Sequence, residues 1–246
     1  MIKPGQMHPP DYFYCPPRQI REGRFTIDGE EGAHLVHVMR KKAGDTIRIV
    51  DGAGTAYDAG ITGIRGKTVT GDVIARYEDL HEPALHVTLG VGMLKNPSKF
   101  DFLVEKTVEL GVRAIVPLLT ERTIPSHAKT DRWQKLALAA MKQCGRSYLP
   151  RIHDVTPLSA LLAESPPGVP KYIAHEQPLD GAGAGGSVPS AGQLLLLVGP
   201  EGGFSEGEVS DARDAGCRPL FFGERRLRTE TAAIVAVTAF LTPLGR

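Results

Sequence analysis

The spacing of apolar residues changes character near residue 81. Before this point, short stretches alternate polar and apolar side chains, for example over Thr46–Val50 and Lys67–Ile74. Such alternation is typical of strands with one buried face, and the turn signals Asp51-Gly52 and Arg65-Gly66 separate these strands. One short helix is predicted over Gly29–Lys42. The first 80 residues therefore predict a small antiparallel β barrel or sandwich.

Beyond the helix breaker at Pro83, apolar runs alternate with amphipathic stretches. This texture is typical of a mostly parallel sheet flanked by helices, so we expect domains over residues 1–80 and 84–246. The predicted strands are Leu85–Val91, Ala114–Leu118, Tyr172–His175, Leu194–Val198 and Pro219–Phe222. The predicted helices are Pro97–Leu110, Asp131–Cys144, Ser205–Ala215 and Thr229–Leu241.

Local signals mark several helix ends. Ser205 and Glu208 have the spacing of a capping box, and Leu110-Gly111 is a typical helix end. The helix predicted over Thr229–Leu241 is apolar on almost every side, which indicates burial in a core or at an interface. The glycine-rich stretch 181–192 has low complexity and is predicted to be a flexible connection without chemistry.

Composition excludes some classes of protein. Of the 246 residues, 41% are hydrophobic and 23% are charged, and no apolar run approaches the roughly 20 residues that span a bilayer. The first residues also lack the apolar core of a secretory signal, so we expect a cytoplasmic protein without a membrane partner. Cys15, Cys144 and Cys217 are scattered and show no C-x-x-C spacing, which indicates reduced, structural cysteines.

Net charge gives no indication of a nucleic-acid partner, because it is only +1. Three local clusters of basic residues are compatible with phosphate binding or with an ordinary solvated surface. They are Arg18, Arg21 and Arg24; Arg40, Lys41 and Lys42; and Arg225, Arg226 and Arg228. His34 and His37 are three residues apart without further ligands nearby, so we expect no metal site.

Two predicted strands end in glycine turns that lead into helices. Leu194–Val198 runs into Gly199–Ser205, and the strand that ends at Phe222 runs into Gly223 and an arginine-rich segment before the next helix. Such turns expose backbone groups at the carboxyl edge of a sheet, where α/β proteins bind ligands. An ordinary tight turn remains an alternative for the first, and a helix cap at Thr229 or Thr231 for the second.

These turns resemble the signature of the ribosomal small-subunit RNA methyltransferase E family. The two matching motifs are Gly199-Pro200-Glu201-Gly202-Gly203-Phe204-Ser205 and Leu227-Arg228-Thr229-Glu230-Thr231-Ala232. Shorter motifs agree in order and spacing along almost the whole chain: His34-Leu35, Val38-Met39-Arg40, Gly44-Asp45, Lys106, Glu109-Leu110-Gly111-Val112, Pro117, Glu121-Arg122, Gln143-Cys144-Gly145-Arg146 and Pro150. Lys142 departs from the family pattern, which predicts an acidic residue there.

The resemblance implies an enzyme that uses S-adenosylmethionine to methylate N3 of a uridine in 16S ribosomal RNA, free or in the small ribosomal subunit. It also implies a homodimer and an α/β fold of the SPOUT type. In this fold, a mostly parallel sheet with helices on both faces ends in a trefoil knot and follows an N-terminal PUA-like β-barrel domain. Carried over residue by residue, the cofactor contacts are Val198, Gly199, Glu201, Gly202, Gly203, Phe222, Gly223, Leu227, Arg228 and Thr229. His175-Glu176 is either a weaker candidate or a polar strand end.

Methylation at N3 of uridine requires loss of the imide proton, because the attacking lone pair appears only as that proton leaves. We expect Arg228 to stabilise charge on the uracil oxygens or to grip a flanking phosphate. A general base, if one is used, would be Glu201 or Glu230, although Glu230 is equally suited to the first turn of a helix. The expected RNA contacts are Arg18, Arg21, Arg24, Arg40, Gln143 and Arg146.

Two other functions stay open at this point. An enzyme of the same fold could methylate a ribose 2′-hydroxyl or a transfer-RNA base, since the knot binds the methyl donor in the same way. A non-catalytic RNA-binding factor in ribosome assembly could keep a vestigial pocket. Nucleoside analysis of the product separates the first alternative, and calorimetry with S-adenosylmethionine separates the second.

Overall fold

The computed structural model describes residues 11–123, 128–178 and 192–242. They form two units, one reaching to Glu82 and including Met141–Leu149, the other made of Pro83–Ala140 and the chain from Pro150 onward. The predicted bounds, 1–80 and 84–246, count Met141–Leu149 with the second unit. Most of the glycine-rich stretch, residues 181–191, lies outside the described residues.

The first unit contains a six-stranded sheet with the order β1-β4-β5-β6-β3-β2. Its strands are β1 Tyr12–Tyr14, β2 Ile20–Arg21, β3 Arg24–Ile27, β4 Thr46–Val50, β5 Thr55–Arg65 and β6 Thr68–Glu78. The β1–β4 pair is parallel and the other pairs are antiparallel. Alternate residues such as Phe13, Ile47 and Ile49 point into one apolar core, as the sequence alternation predicts.

The helix predicted over Gly29–Lys42 is shorter and less regular than expected. Helix α1 spans Gly29–Ala33 and continues as a π-helical turn over His34–Val38. The chain then leaves the helix, with Arg40 at a φ of 53°, and the Gly44 N–H donates to the Ile61 carbonyl at 2.8 Å. The prediction of helix to Lys42 was wrong, because the π-helical turn ends at Val38 and the Lys42 N–H donates to Asp45 Oδ2 at 2.7 Å.

The second unit is built on a parallel sheet with the order β10-β8-β7-β12-β11-β13, to which β9 is added alongside β8. Every strand pair in it is parallel. The strands are β7 Leu85–Gly92, β8 Ala114–Leu119, β9 Arg151–Ile152, β10 Thr156–Pro157, β11 Lys171–Ala174, β12 Gly192–Val198 and β13 Cys217–Leu220. The five predicted strands are confirmed to within about two residues, and β9 and β10 were not predicted.

Helices cover both faces of this sheet. They are α2 Pro97–Glu109, α3 Thr130–Cys144, α4 Leu158–Glu164, α5 Glu206–Asp214 and α6 Thr229–Leu241. Leu195 and Leu197 of β12 share a core cluster with residues of α4 and α5. On β11, Tyr172 stacks on Phe240 of α6 with ring centroids 4.7 Å apart, whereas the adjacent Ile173 belongs to the α4–α5 cluster. Neighbouring residues of one strand therefore contact helices on opposite faces.

The helix ends follow the sequence signals with one exception. The predicted capping box is confirmed, because Ser205 Oγ accepts from the Glu208 N–H and the Glu208 carboxylate accepts from the Ser205 N–H. Gly111 follows α2 at a φ of +106°, as expected for a helix end. The expected cap at Thr229 or Thr231 was wrong: the N-cap residue of α6 is Arg228, which makes no side-chain capping hydrogen bond.

No helix in the described ranges is long and apolar enough to cross a membrane. Among the described residues, Cys15, Cys144 and Cys217 take part in no disulfide. Burial raises the pKa of Cys15 to about 12 and that of Cys217 to about 11, so neither thiol forms a reactive thiolate near neutral pH.

Candidate functional site

A cleft of about 840 Å³ opens where three neighbouring strands of the second unit end. Strands β12, β11 and β13 lie side by side and run in parallel, so their carboxyl ends meet at one edge of the sheet. The cleft is lined there by residues that follow each strand, including Val198, His175 and Phe222. Its volume falls within the roughly 300–1,000 Å³ of small-molecule sites. The geometry thus places a cleft of ligand size where the two turns had predicted a binding site.

The first glycine turn, Gly199–Phe204, is tightly folded. The Gly203 N–H donates to the Pro200 carbonyl at 2.9 Å, and Gly203 adopts a φ of +69°, which favours glycine. A Cβ added at Gly199 would lie only 3.0 Å from the carbonyl carbon of Gly203, so this position has little space for a side chain. At Gly203 itself a Cβ would meet nothing within 4 Å. The turn is therefore closed on itself and open towards the cleft.

The end of β7 packs directly against the same turn. A Cβ added at Gly92 would lie 2.3 Å from the nitrogen of Pro200, so only glycine allows the two backbones to approach this closely. The Lys95 N–H donates to Glu201 Oε1 at 3.2 Å. Glu201 thus lines the cleft with one of its carboxylate oxygens already accepting a backbone hydrogen bond.

The second glycine turn, Phe222–Arg228, is more exposed. Gly223 has a φ of +90° and empty space where a Cβ would project. Its arginines, Arg225, Arg226 and Arg228, line the cleft and are exposed to solvent. Arg226 Nε lies 3.2 Å from Glu176 Oε2, and this ion pair joins the turn to the end of β11.

The structure brings most of the predicted cofactor-binding residues together. Those that line the cleft are Val198, Gly199, Glu201, Gly203, Phe222, Gly223, Leu227, Arg228, Thr229 and His175. Gly202 is not among the residues that line the cleft, and its carbonyl accepts from Arg122 Nη1 at 2.9 Å. Glu176, predicted together with His175 as a weaker candidate, also lines the cleft, and so do Arg122 and Arg213, which were not predicted to do so. Of these, Arg122 belonged to a matched motif, Glu121-Arg122, and could have been considered.

Glu230, predicted as a possible base, lies away from the cleft. Glu230 is only 9% exposed to solvent, and its Oε1 is 3.8 Å from Lys99 Nζ on α2. Its other oxygen, Oε2, is buried and accepts no hydrogen bond among the described residues. This position favours the alternative reading, an acid in the first turn of α6, where the helix dipole stabilises negative charge.

Five of the six predicted RNA-binding residues are exposed: Arg18, Arg21, Arg24, Arg40 and Gln143. Arg24 is near Asp72, with Nε and Oδ1 3.5 Å apart. Arg146 is different, because its side chain is only 3% exposed and its Nη2 lies 2.7 Å from Glu82 Oε2. That placement argues against Arg146 as a phosphate ligand.

Lys142 stands where the family pattern predicts an acidic residue, and its neighbours explain how a lysine is accommodated. Lys142 Nζ lies 2.7 Å from Glu31 Oε2, and Glu31 Oε1 accepts from the Tyr14 N–H at 2.8 Å. The lysine thus neutralises an acidic residue of α1, and the basic side chain is accommodated by its own ion pair.

The described residues contain no group of three or more possible metal ligands. His34 lies against Phe13, with ring centroids 6.1 Å apart.

Comparisons with known proteins agree with the cleft and the two units. A family model described as an RNA methyltransferase domain matches residues 81–241, and one described as an RNA methyltransferase PUA domain matches residues 27–74. A Synechocystis protein named ribosomal RNA small subunit methyltransferase E is 33% identical over 230 residues, covering 90% of this chain and 74% of that protein. The Bacillus subtilis protein of the same name is 30% identical over 235 residues, covering 90% and 91%.

A solved structure is similar over nearly the full length. It is the crystal structure of a ribosomal RNA small subunit methyltransferase E from Neisseria gonorrhoeae bound to S-adenosyl methionine. The TM-score is 0.82 at 30% identity, with 94% of this chain and 96% of that chain covered. The similarities confirm the expected fold class, an α/β methyltransferase domain of the SPOUT type with a PUA domain. The trefoil knot stays a prediction.

Proposed function

The chain belongs to the ribosomal RNA small subunit methyltransferase E family, and from this membership we propose that it transfers a methyl group from S-adenosylmethionine to N3 of a uridine in 16S ribosomal RNA. One observation carries the proposal. Three adjacent parallel strands end at a single cleft that is walled by two glycine turns. This edge of an α/β sheet is where cofactors bind.

The cleft has the properties that S-adenosylmethionine needs. Its volume of about 840 Å³ accommodates a ligand of that size. Gly203 and Gly223 both adopt positive φ. A Cβ built on either glycine would meet no other atom within 4 Å, so the backbone of each turn is accessible. Backbone groups suit the adenine, which has both donors and acceptors on its edge. When bound, the cofactor supplies a methyl group on a positively charged sulfur, which is intrinsically reactive.

Arg228 is the residue we assign to the uridine. It stands at the start of α6, lines the cleft and is exposed, so its guanidinium can reach a ligand from the solvent side. As N3 loses its proton, negative charge develops on the uracil oxygens. A guanidinium placed there stabilises this charge, or holds the flanking phosphate through two parallel hydrogen bonds.

Glu201 is the better of the two candidate bases. It lines the cleft, and one of its oxygens accepts from the Lys95 N–H, while the other accepts no hydrogen bond from the residues that the structure describes. Glu230 is buried beside Lys99 and is separated from the cleft wall. If Glu201 takes the N3 proton, Glu201→Gln lowers the methylation rate and abolishes the fall of that rate at acidic pH. Glu230→Gln leaves the pH profile of the methylation rate unchanged.

The first unit supplies RNA contacts. Arg18, Arg21, Arg24 and Arg40 are exposed on it, and the PUA family model covers its central strands. Phosphate contacts of this kind bind RNA without reading its sequence and depend on salt. We expect the substrate to be 16S ribosomal RNA, free or within the small ribosomal subunit, and the protein to act in the cytoplasm.

The proposed assembly is a homodimer that uses α2 and α6. Phe102 of α2 is 47% exposed and Val235 of α6 is 37% exposed, although both are large apolar residues. Thr231 and Ala239 lie one turn before and after Val235 and are also exposed. An exposed apolar helix face is typical of a subunit interface. Light scattering of the purified protein tests this, and a monomeric mass at micromolar concentration would contradict it.

One experiment tests the activity itself. Small ribosomal subunits and free 16S ribosomal RNA from a strain lacking the gene are incubated with the protein and S-adenosylmethionine, and the product nucleosides are identified by mass spectrometry. The proposal predicts 3-methyluridine. A ribose-methylated nucleoside or a product made only on transfer RNA would reassign the substrate. Calorimetry that detects no binding of S-adenosylmethionine would instead support the non-catalytic assembly factor.

A further inference from the structure

A short loop after β8 contacts the first glycine turn in addition to the end of β7. This β8 loop, Thr120–Thr123, is itself folded tightly, because the Thr123 N–H donates to the Thr120 carbonyl at 3.0 Å and the two threonine hydroxyls are 2.8 Å apart. It lies about 80 residues before the glycine turn in the sequence. Two hydrogen bonds nevertheless connect the loop to the turn and to the helix that follows the turn.

The first of these bonds acts on the glycine turn. Arg122 Nη1 donates to the Gly202 carbonyl at 2.9 Å. The aliphatic part of the arginine also lies flat on the turn, since a Cβ added at Gly202 would lie 3.2 Å from Arg122 Cβ. Gly202 is thus covered by one side chain that both packs on its Cα and fixes its carbonyl.

The second bond fixes the loop that carries Arg122. Glu208 Oε2 accepts from the Ser205 N–H at 2.8 Å and so completes the capping box of α5. Its other oxygen, Oε1, accepts from the Glu121 N–H at 2.8 Å. A capping box needs only one carboxylate oxygen. Here the second oxygen ties the start of α5 to the residue next to Arg122.

The consequence concerns one peptide group. The Gly202 carbonyl and the Gly203 N–H belong to the same planar unit, so fixing one fixes the other. Glycine on both sides of this peptide makes its rotation inexpensive, because neither residue has a Cβ that restricts φ and ψ. Arg122 holds the Gly202 carbonyl, while the Gly203 N–H donates to the Pro200 carbonyl.

We propose that Arg122 is a positioning residue that fixes the Gly202–Gly203 peptide and thereby preorganises the backbone wall of the cofactor cleft. The identity of the ligand rests on the proposed function. Arg122 acts here through the turn and not by contacting RNA. Its loss leaves the turn free to adopt other conformations, and the cofactor must then select the competent one, which lowers the apparent affinity.

The test compares Arg122→Ala and Arg122→Lys with the matched control Arg218→Ala, which removes an exposed arginine from β13, outside the cleft. Calorimetry with S-adenosylmethionine should show affinity reduced about tenfold in Arg122→Ala, the size expected for loss of a charged hydrogen bond. Lysine can still donate to the Gly202 carbonyl, so Arg122→Lys should stay within about threefold of wild type. The control should match wild type.

Kinetics provide a readout that a general loss of stability would not reproduce. In Arg122→Ala, KM for S-adenosylmethionine should rise about tenfold while kcat at saturating cofactor and the affinity for 16S ribosomal RNA stay within about threefold. Cofactor affinity at the wild-type level in Arg122→Ala overturns the proposal. A selective loss of RNA affinity with a smaller salt dependence also overturns it, because Arg122 would then be an RNA ligand. If the wild-type protein itself binds no S-adenosylmethionine, the proposed function fails instead.

Discussion

The two glycine turns that wall the cleft differ in how the rest of the protein supports them. The turn after β12 is supported by three sets of contacts, from the end of β7, from Arg122 and from the capping box of α5. The turn after β13 is exposed, and Arg226 pairs there with Glu176 through side chains that are 72% and 52% exposed. Exposed ion pairs of this kind contribute about 0–1 kcal/mol. One wall of the cleft is therefore preorganised, and the other carries exposed arginines that can adjust to a substrate.

The largest expected effect comes from the adjustable wall, at Arg228. Arg228→Ala should lower kcat for methylation by about 100-fold or more, because it removes a charge from the place where negative charge develops. The cofactor affinity should change by less than about threefold, since the Arg228 side chain is assigned to the uridine and a cofactor contact through the Arg228 backbone is kept in the variant. Single-turnover methylation and calorimetry measure the two quantities separately. Equal losses in kcat and in cofactor affinity would mean that the Arg228 side chain binds the cofactor. The second turn would then not be specific to the substrate.

The next largest effect tests the preorganised wall, at Gly199. Gly199→Val should weaken S-adenosylmethionine binding by about 10- to 100-fold, because its Cβ would lie 3.0 Å from Gly203 and overpacking of a tight site costs about 1–3 kcal/mol. Calorimetry measures the affinity, and circular dichroism checks that the variant is folded. Wild-type affinity in a folded variant would show that this turn is more tolerant than its packing indicates.

Gly223→Ala makes the matched change in the exposed turn. A Cβ there meets nothing within 4 Å, so only the φ of +90° opposes the substitution. Left-handed backbone costs an alanine about 1–2 kcal/mol. An exposed turn can relax part of this cost, and cofactor affinity should therefore fall by no more than about fivefold. A larger loss than in Gly199→Val would reverse the comparison between the two turns.

The smallest effect is expected at the ion pair that joins the exposed turn to β11. Arg226→Ala should change cofactor affinity by less than about twofold, since the Arg226–Glu176 pair is screened by solvent. Measurements at low and high salt check this, because any contribution of the pair must shrink as salt is added. An effect above about fivefold that persists in high salt would assign Arg226 a direct ligand contact.

The regular elements of the second unit were predictable because their patterns are local. The strands around Leu85–Val91 and Leu194–Val198 and the helices α2, α3 and α6 agree with the structure to within about two residues. Helix α4 was missed because it has only seven residues and follows Pro157 without a capping side chain. The helix predicted to Lys42 ends earlier because the chain turns at Arg40, a residue other than glycine with a φ of 53°, which the spacing of apolar residues does not reveal.

The cleft was predictable for the same reason, since each glycine turn is continuous in the sequence. The environments of Arg146 and Glu230 were not, because they depend on partners far away along the chain. Arg146 pairs with Glu82, 64 residues earlier, and Glu230 lies beside Lys99 of α2. Arg122 likewise lies 80 residues before Gly202, to whose carbonyl it donates a hydrogen bond. Burial and pairing of charged side chains are properties of the folded chain that local spacing does not encode.

The most direct test of the account is a crystal structure of the protein with S-adenosylhomocysteine, the methyl-free product of the cofactor. The account predicts this ligand between Gly199–Gly203 and Gly223–Thr229, with its sulfur accessible from the side of Arg228. Binding of the ligand elsewhere on the protein, with this cleft filled only by solvent, would contradict the central claim.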